Sequence, residues 1–198
     1  MAEQSNEIAS GYLAASAIVD YHHPLVMSRA QALVEGVADS MELTRRCYEF
    51  VRDEIPHSFD ISSDPVSCTA SEVLLNGHGI CYAQSHLLAA LLRANGIPAG
   101  FDYQRLYDDE LNYCLHGFNT VYLPEFGWYR IDARGNTGDI DARFCPPKER
   151  LAFTTNASGE MEYNLNLAEP LPCVVRALQD TESIAALRLR LPSSVPMG

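Results

Sequence analysis

The spacing of apolar positions changes along the chain, from a period near 3.6 in the first half to strict alternation after residue 97. Leu43, Cys47, Phe50 and Val51 share one face of a helix ending near Ile55-Pro56, and Asp39 followed by Glu42 is the capping pair expected at its start. An earlier helix is expected from Pro24 toward Val37. Thr69-Ala-Ser-Glu72 carries the capping-box pattern of a short helix that Asn76-Gly77 would close. In GHGICYAQSHLLAALLRANG, residues 77–96, Ala83, Leu87, Ala90, Leu91 and Ala94 form a stripe that Leu88 and Leu92 widen. Such a helix belongs at the centre of the fold, and Asn95-Gly96 terminates it. Ile97-Pro98 then forces extended chain, and Gly100 to Leu106 reads as a strand. HGFNTVYL (116–123) and GWYRIDA (127–133) read as a hairpin joined by Pro124-Glu125-Phe126. GNTGDIDARFCPPKE is rich in turn residues, and PLPCVVRALQ and TESIAALRLRL predict short helices near the end. Helices first and antiparallel strands later make the class α+β, and with no repeat or linker the expectation is one domain over 1–198.

Composition narrows the function. A chain of 198 residues that is 47% hydrophobic can build a full core. Its 14 Lys and Arg against 26 Asp and Glu leave a net charge of −12, which repels phosphates and anionic lipid, so neither nucleic acid nor membrane is expected as a partner. The start has no basic region before an apolar run, and no stretch approaches the roughly 20 apolar residues of a spanning helix, so a cytoplasmic location is expected. Cysteines 47, 68, 81, 114, 145 and 173 have no regular spacing and are expected to be free thiols, most of them structural.

Cys81 differs from the others because it stands where a glycine-rich turn becomes the central helix. A helix N-terminus favours thiolate, and its unpaired N–H groups can stabilise an oxyanion. Gly77 and Gly79 would let the chain turn sharply and leave the sulfur uncovered. The other reading is one more buried structural thiol. A nucleophilic thiol needs a base and the base an orienting partner. If Leu123 faces Gly127, then Phe118 faces Asp132 and His116 faces Arg134, which makes His116 and Asp132 diagonal neighbours on one face. The remaining histidines carry weaker cases: His22 and His23 precede a proline at a helix entry, His57 follows Pro56, and His86 falls on the polar side of the helix. His78 is either a substrate contact or an exposed loop residue. His78-x-x-Cys81 with Cys114-x-His116 could in principle converge on zinc, but the second pair is too tightly spaced and the scheme leaves Asp132 without a role.

Gly79-Ile-Cys81 with LLAALLRANGIPAG, LHGFNTVYL with His116, and GWYRIDARGN with Asp132, in that order, resemble the transglutaminase-like family of papain-fold cysteine enzymes. YLAASAIVDYHHPLV, FVRDEIPHSFDI, TASEVLL, RFCPPKERLAF and GEMEYNL extend the resemblance, toward a bacterial transglutaminase-like branch, over most of the chain. The resemblance implies a central helix carrying Cys81 as nucleophile, packed on an antiparallel sheet carrying His116 as general base and acid and Asp132 as its orienting residue. No cofactor or metal is implied. The backbone N–H of Cys81 is one oxyanion donor, but Leu75 stands where papain-like proteases place a glutamine. Asn76 and Gln104 are candidates for the second donor, each with a plain structural role as the alternative.

The expected function is cysteine-dependent hydrolysis of an amide bond in a peptide, protein or small molecule through a thioester. Transglutaminase-type transfer to an amine and an inactive binding domain of the same fold are the alternatives. Hydrolysis is favoured because the chain has no evident extra domain to position an acceptor amine. The loops 107–113 and 154–164 should shape the groove, and no motif in them names the substrate or sets an oligomeric state.

Overall fold

The structure is a computed structural model that describes residues 10–196. The start of the chain, residues 1–9, to which the expected lack of a basic region before an apolar run applies, lies outside the described residues. Helix α1 (Pro24–Val34) begins on a proline, and His23 caps it by accepting from Leu25 N. It stops three residues before the expected Val37. Helix α2 (Ser40–Glu54) begins where the sequence places it, with the Asp39 carboxylate accepting from the N–H groups of Met41 and Glu42. Leu43, Cys47, Tyr48 and Val51 form its buried face. One short turn, α3 (Ser58–Ile61), precedes α4 (Ala70–Asn76). Thr69 and Glu72 complete the expected reciprocal capping box, and Gly77 closes α4 at φ +73°.

Helix α5 (Cys81–Ala94) is the axis of the fold. Helices α1, α2 and α4 pack on one side of it and strands β1 (Ala99–Asp108) and β2 (Asn112–Leu123) on the other. Every residue from Tyr82 to Arg93 is buried, including four polar ones. The expected polar face therefore does not meet solvent, because the helix has neighbours all round. Its polar groups bond inward: Gln84 Nε2 donates to Ile55 O at 2.8 Å and Ser85 Oγ to Tyr82 O at 2.7 Å. Each fully buried Leu adds about 1.5–3 kcal/mol, and Leu87, Leu88, Leu91 and Leu92 all reach 0% exposure.

The main sheet has the order β3-β2-β1-β6, with β3 spanning Gly127–Ile131 and β6 Met161–Glu162. The expected register is observed, Leu123 facing Gly127 and Asn119 facing Ile131. The segment 107–113, expected as a loop, is mostly ladder, since Tyr107 pairs with Tyr113 and Asp108 with Asn112. The turn-rich stretch after residue 135 also holds a second small hairpin, β4 (Arg143–Cys145) and β5 (Lys148–Arg150). Strands of three residues are too short to show alternation. Two short helices, α6 (Pro172–Gln179) and α7 (Ile184–Arg188), follow as expected.

Candidate active site

The chain reaches Cys81 through a turn braced from outside. Gly79 N donates to Pro56 O at 3.3 Å and Ser58 N donates to Gly79 O at 3.1 Å, so His57 and Gly79 lie side by side as a parallel bridge. Gly77 supplies a left-handed residue, whereas Gly79 is needed for close approach: a Cβ there would sit 3.0 Å from Ala83 Cβ. Helix α5 then starts at Cys81 with Ile80 as N-cap and no side-chain cap, leaving the first N–H groups available beside a partly exposed sulfur.

Strand β2 and the residue that follows β3, which ends at Ile131 rather than at the expected residue 133, bring two further groups to this point. His116 Nε2 and Asp132 Oδ2 are 2.7 Å apart, with side chains 5% and 1% exposed. Asp132 is fixed in turn by backbone donors: Ala152 N to Oδ2 at 2.9 Å and Arg134 N to Oδ1 at 3.1 Å. Phe153 meets the His116 ring edge-on at 4.9 Å and Phe118 stacks on it at 6.0 Å. With Nε2 committed to Asp132, Nδ1 is the imidazole nitrogen left to face the thiol.

The electrostatics follow from this placement. Burial alone would raise the Cys81 thiol, but the His116 charge and hydrogen bonds from His116 and His57 outweigh it and bring the thiol down to about 6. Burial disfavours charge on His116, yet the Asp132 carboxylate and the Cys81 sulfur raise it to about 10. Burial likewise opposes ionisation of Asp132, and His116 with two backbone donors holds the carboxyl below its usual range. Each of these shifts favours the charged form of its group in this row: thiolate, imidazolium and carboxylate. Desolvation pushes Cys47 and Cys68 the other way, to about 12, and does the same to Cys114, aided there by Cys81.

The row opens on a cleft of about 440 Å³, whose walls include Ile80, Leu106, Tyr107, Cys114, Phe153 and Leu191 with His57, Arg134 and Arg188. Arg134 is held by Asp60 through two bonds of 2.9 and 2.8 Å.

The other residues singled out by sequence fall elsewhere. His78 is 4% exposed and shares a 2.9 Å hydrogen bond with Ser58 Oγ, so it is neither a loop-surface residue nor a wall of the cleft. His86 Nδ1 donates to Cys68 O at 2.7 Å, and burial lowers the ring to about 4. Asn76 donates to Ser67 Oγ at 2.9 Å, and Gln104 to Phe153 O and Glu162 Oε1 at 3.4 and 3.3 Å; neither lines the cleft. Among the described residues no group of three His, Cys, Asp or Glu side chains is disposed to hold a metal ion. Sequence reasoning set His57 aside, yet it stands at the thiol. A crossing between segments 22 residues apart puts it there, and no local periodicity marks such a contact.

The family described as the Transglutaminase-like superfamily matches residues 27–133, a span that includes Cys81, His116 and Asp132. Among solved structures, a candidate cysteine protease from Cytophaga hutchinsonii is 19% identical over 63% of this chain and 41% of its own, and at a TM-score of 0.51 it shares the fold. The periplasmic domain of TgpA from Pseudomonas aeruginosa is 22% identical over 62% of this chain and 45% of its own, with a TM-score of 0.46. Red sea bream transglutaminase is 11% identical over 87% of this chain and 33% of its own, with a TM-score of 0.44. The chain thus spans less than half the length of each. No curated relative matches it at a significant level.

Proposed function

This chain belongs to the transglutaminase-like superfamily, and we propose that it is a cysteine-dependent acyl-transfer enzyme that hydrolyses an amide bond through a thioester on Cys81. The observation that carries this reading is the row of Cys81, His116 and Asp132, with 2.7 Å between the last two, at an uncapped helix start in an open cleft. The Cys81 thiolate attacks the acyl carbon, and the backbone N–H of Cys81 at the helix start takes up charge developing on the carbonyl oxygen. His116, protonated at Nδ1, gives that proton to the leaving amine as the C–N bond breaks. Water then loses a proton to Nδ1 as its oxygen adds to the thioester, and the carboxylic acid leaves as the thiolate re-forms. Asp132 holds the ring with Nδ1 toward sulfur and stabilises its charge. Every step uses side chains of this chain.

Hydrolysis is favoured over transfer to an amine because water at tens of molar wins unless an acceptor is positioned with a compensating effective molarity. A screen of peptide and amide substrates, with and without a primary amine and followed by intact mass, tests both levels. The reading expects a Cys81 acyl adduct that decays to free acid. Wild-type turnover in Cys81→Ala would refute the enzyme assignment, and diversion of most acyl product to amide by millimolar amine would make the protein a transferase.

A further inference from the structure

The mechanism above uses one identified donor for the oxyanion, the backbone at Cys81, and the two side chains weighed from sequence are engaged elsewhere. His57 is a buried imidazole in the same cleft whose place the mechanism does not yet use. Its backbone is pinned beside Gly79, two residues before the nucleophile, by the Pro56–Gly79 and Ser58–Gly79 hydrogen bonds of 3.3 and 3.1 Å. Its ring is 6% exposed and packs 5.4 Å from that of Phe59.

The two ring nitrogens differ. Nδ1 is buried and has no hydrogen-bond partner among the described residues. A buried N–H without an acceptor is rarer and costlier than a buried lone pair without a donor, so the ring proton belongs on Nε2. That leaves Nε2–H as the nitrogen free to donate into the cleft that Cys81 also lines, where His57 favours the thiolate. His116 cannot serve the same purpose, because its Nε2 is bonded to Asp132 and its Nδ1 must carry the travelling proton.

An oxyanion formed by attack of sulfur on a carbonyl lies about 3 Å from donors placed next to that sulfur. One such donor is the helix N–H at Cys81. We infer that His57 is the second, donating from Nε2 to the oxyanion across from the Cys81 backbone. His57 would thus be a catalytic residue that touches the reacting atoms. This role rests on the acyl-transfer reading above.

Two reagents for the same sulfur separate the possibilities. p-Nitrophenyl acetate reacts through a tetrahedral oxyanion: the S–C bond forms, the C–O bond breaks, and nitrophenolate leaves with the electron pair. Iodoacetamide reacts by displacement at saturated carbon, expels iodide and passes through no oxyanion. Both rates are read by mass at Cys81, on the pH plateau where the thiol is already ionised, in wild type, His57→Ala and His57→Gln. The expected result is an acetylation rate reduced about 10²- to 10³-fold in His57→Ala, the scale of losing one oxyanion donor. Alkylation should stay near wild type, and His57→Gln, which restores an N–H donor, should recover much of the acetylation. Equal falls in both rates would mean that His57 serves the thiol or the fold and would overturn the inference, as would unchanged acetylation in His57→Ala. A wild-type Cys81 that alkylates readily but never accepts acetyl would instead overturn the acyl-transfer reading itself.

Discussion

The two ends of the central helix are treated oppositely. At its C-terminal end Arg93, 3% exposed, donates from Nε and Nη2 to Ala99 O at 3.1 and 2.9 Å, from Nη1 to Ala14 O at 2.8 Å, and from Nη2 to Ala168 O. Three separate segments are tied to one guanidinium, and Asn95 adds a 2.9 Å bond to Leu91 O. At the N-terminal end Ile80 offers no side-chain cap, and the first N–H groups and a thiol face a cleft. A closed end satisfies polar groups within the protein and stabilises; an open end leaves backbone donors without protein partners. A similar division separates two of the buried imidazoles, His86 and His116. His86, bonded to a neutral carbonyl, is lowered to about 4 by burial, whereas His116 beside Asp132 is raised to about 10. A carboxylate partner, more than depth, decides whether a buried ring is charged.

The open end should be broken most severely by Asp132→Asn. The amide preserves shape and can still accept from the backbone, but it neither stabilises the imidazolium nor fixes its tautomer, so turnover should fall about 10³- to 10⁴-fold. Thermal unfolding with steady-state assay of the same sample checks this, and wild-type turnover would dismiss the carboxylate's role. At the closed end the loss should appear in stability. Arg93→Met removes the donors of three carbonyls, that of Ala99 buried, and should cost about 3 kcal/mol, seen as a lower urea midpoint with little change in slope. A change within about 0.5 kcal/mol would mean that water or a rearranged chain replaces the guanidinium.

The smallest effect is expected at the start of α4. Thr69→Ala deletes one half of the capping box of α4, the helix that leads into the glycine turn before Cys81. It should cost about 1 kcal/mol of stability and leave turnover unchanged. Turnover falling in parallel would show that the position of the thiol depends on this cap and not on the Pro56–Gly79 bracing.

Much of this arrangement was legible in the sequence for identifiable reasons. The alternation of 116–123 and 127–131, with a three-residue connection, determines the register observed from Leu123–Gly127 to Asn119–Ile131, and just beyond that ladder His116 and Asp132 meet as the spacing suggests. Asp39, Thr69 and Gly77 mark helix ends by chemistry local to each end. What escaped depends on segments far apart in sequence. The four polar residues within 82–93 look solvent-facing until helices and sheet close around them, and the burial of His78 depends on Ser58. His57 reaches the thiol only through its bridge to Gly79. Strands β4 and β5 were invisible because three residues cannot establish a period.

The central claim is that Cys81 and His116 share a proton as thiolate and imidazolium at neutral pH. The most direct test is the rate of Cys81 alkylation by iodoacetamide against pH, with all six cysteines followed by peptide mass. As pH falls through about 6 the thiolate is protonated and the rate should drop; above that it should hold, with any further change coming near 10 as His116 loses its proton. Cys81 should label ahead of the exposed Cys145 near neutral pH. A midpoint near the ordinary thiol value of 9.0, or faster labelling of any other cysteine in the folded protein, would contradict the ion pair.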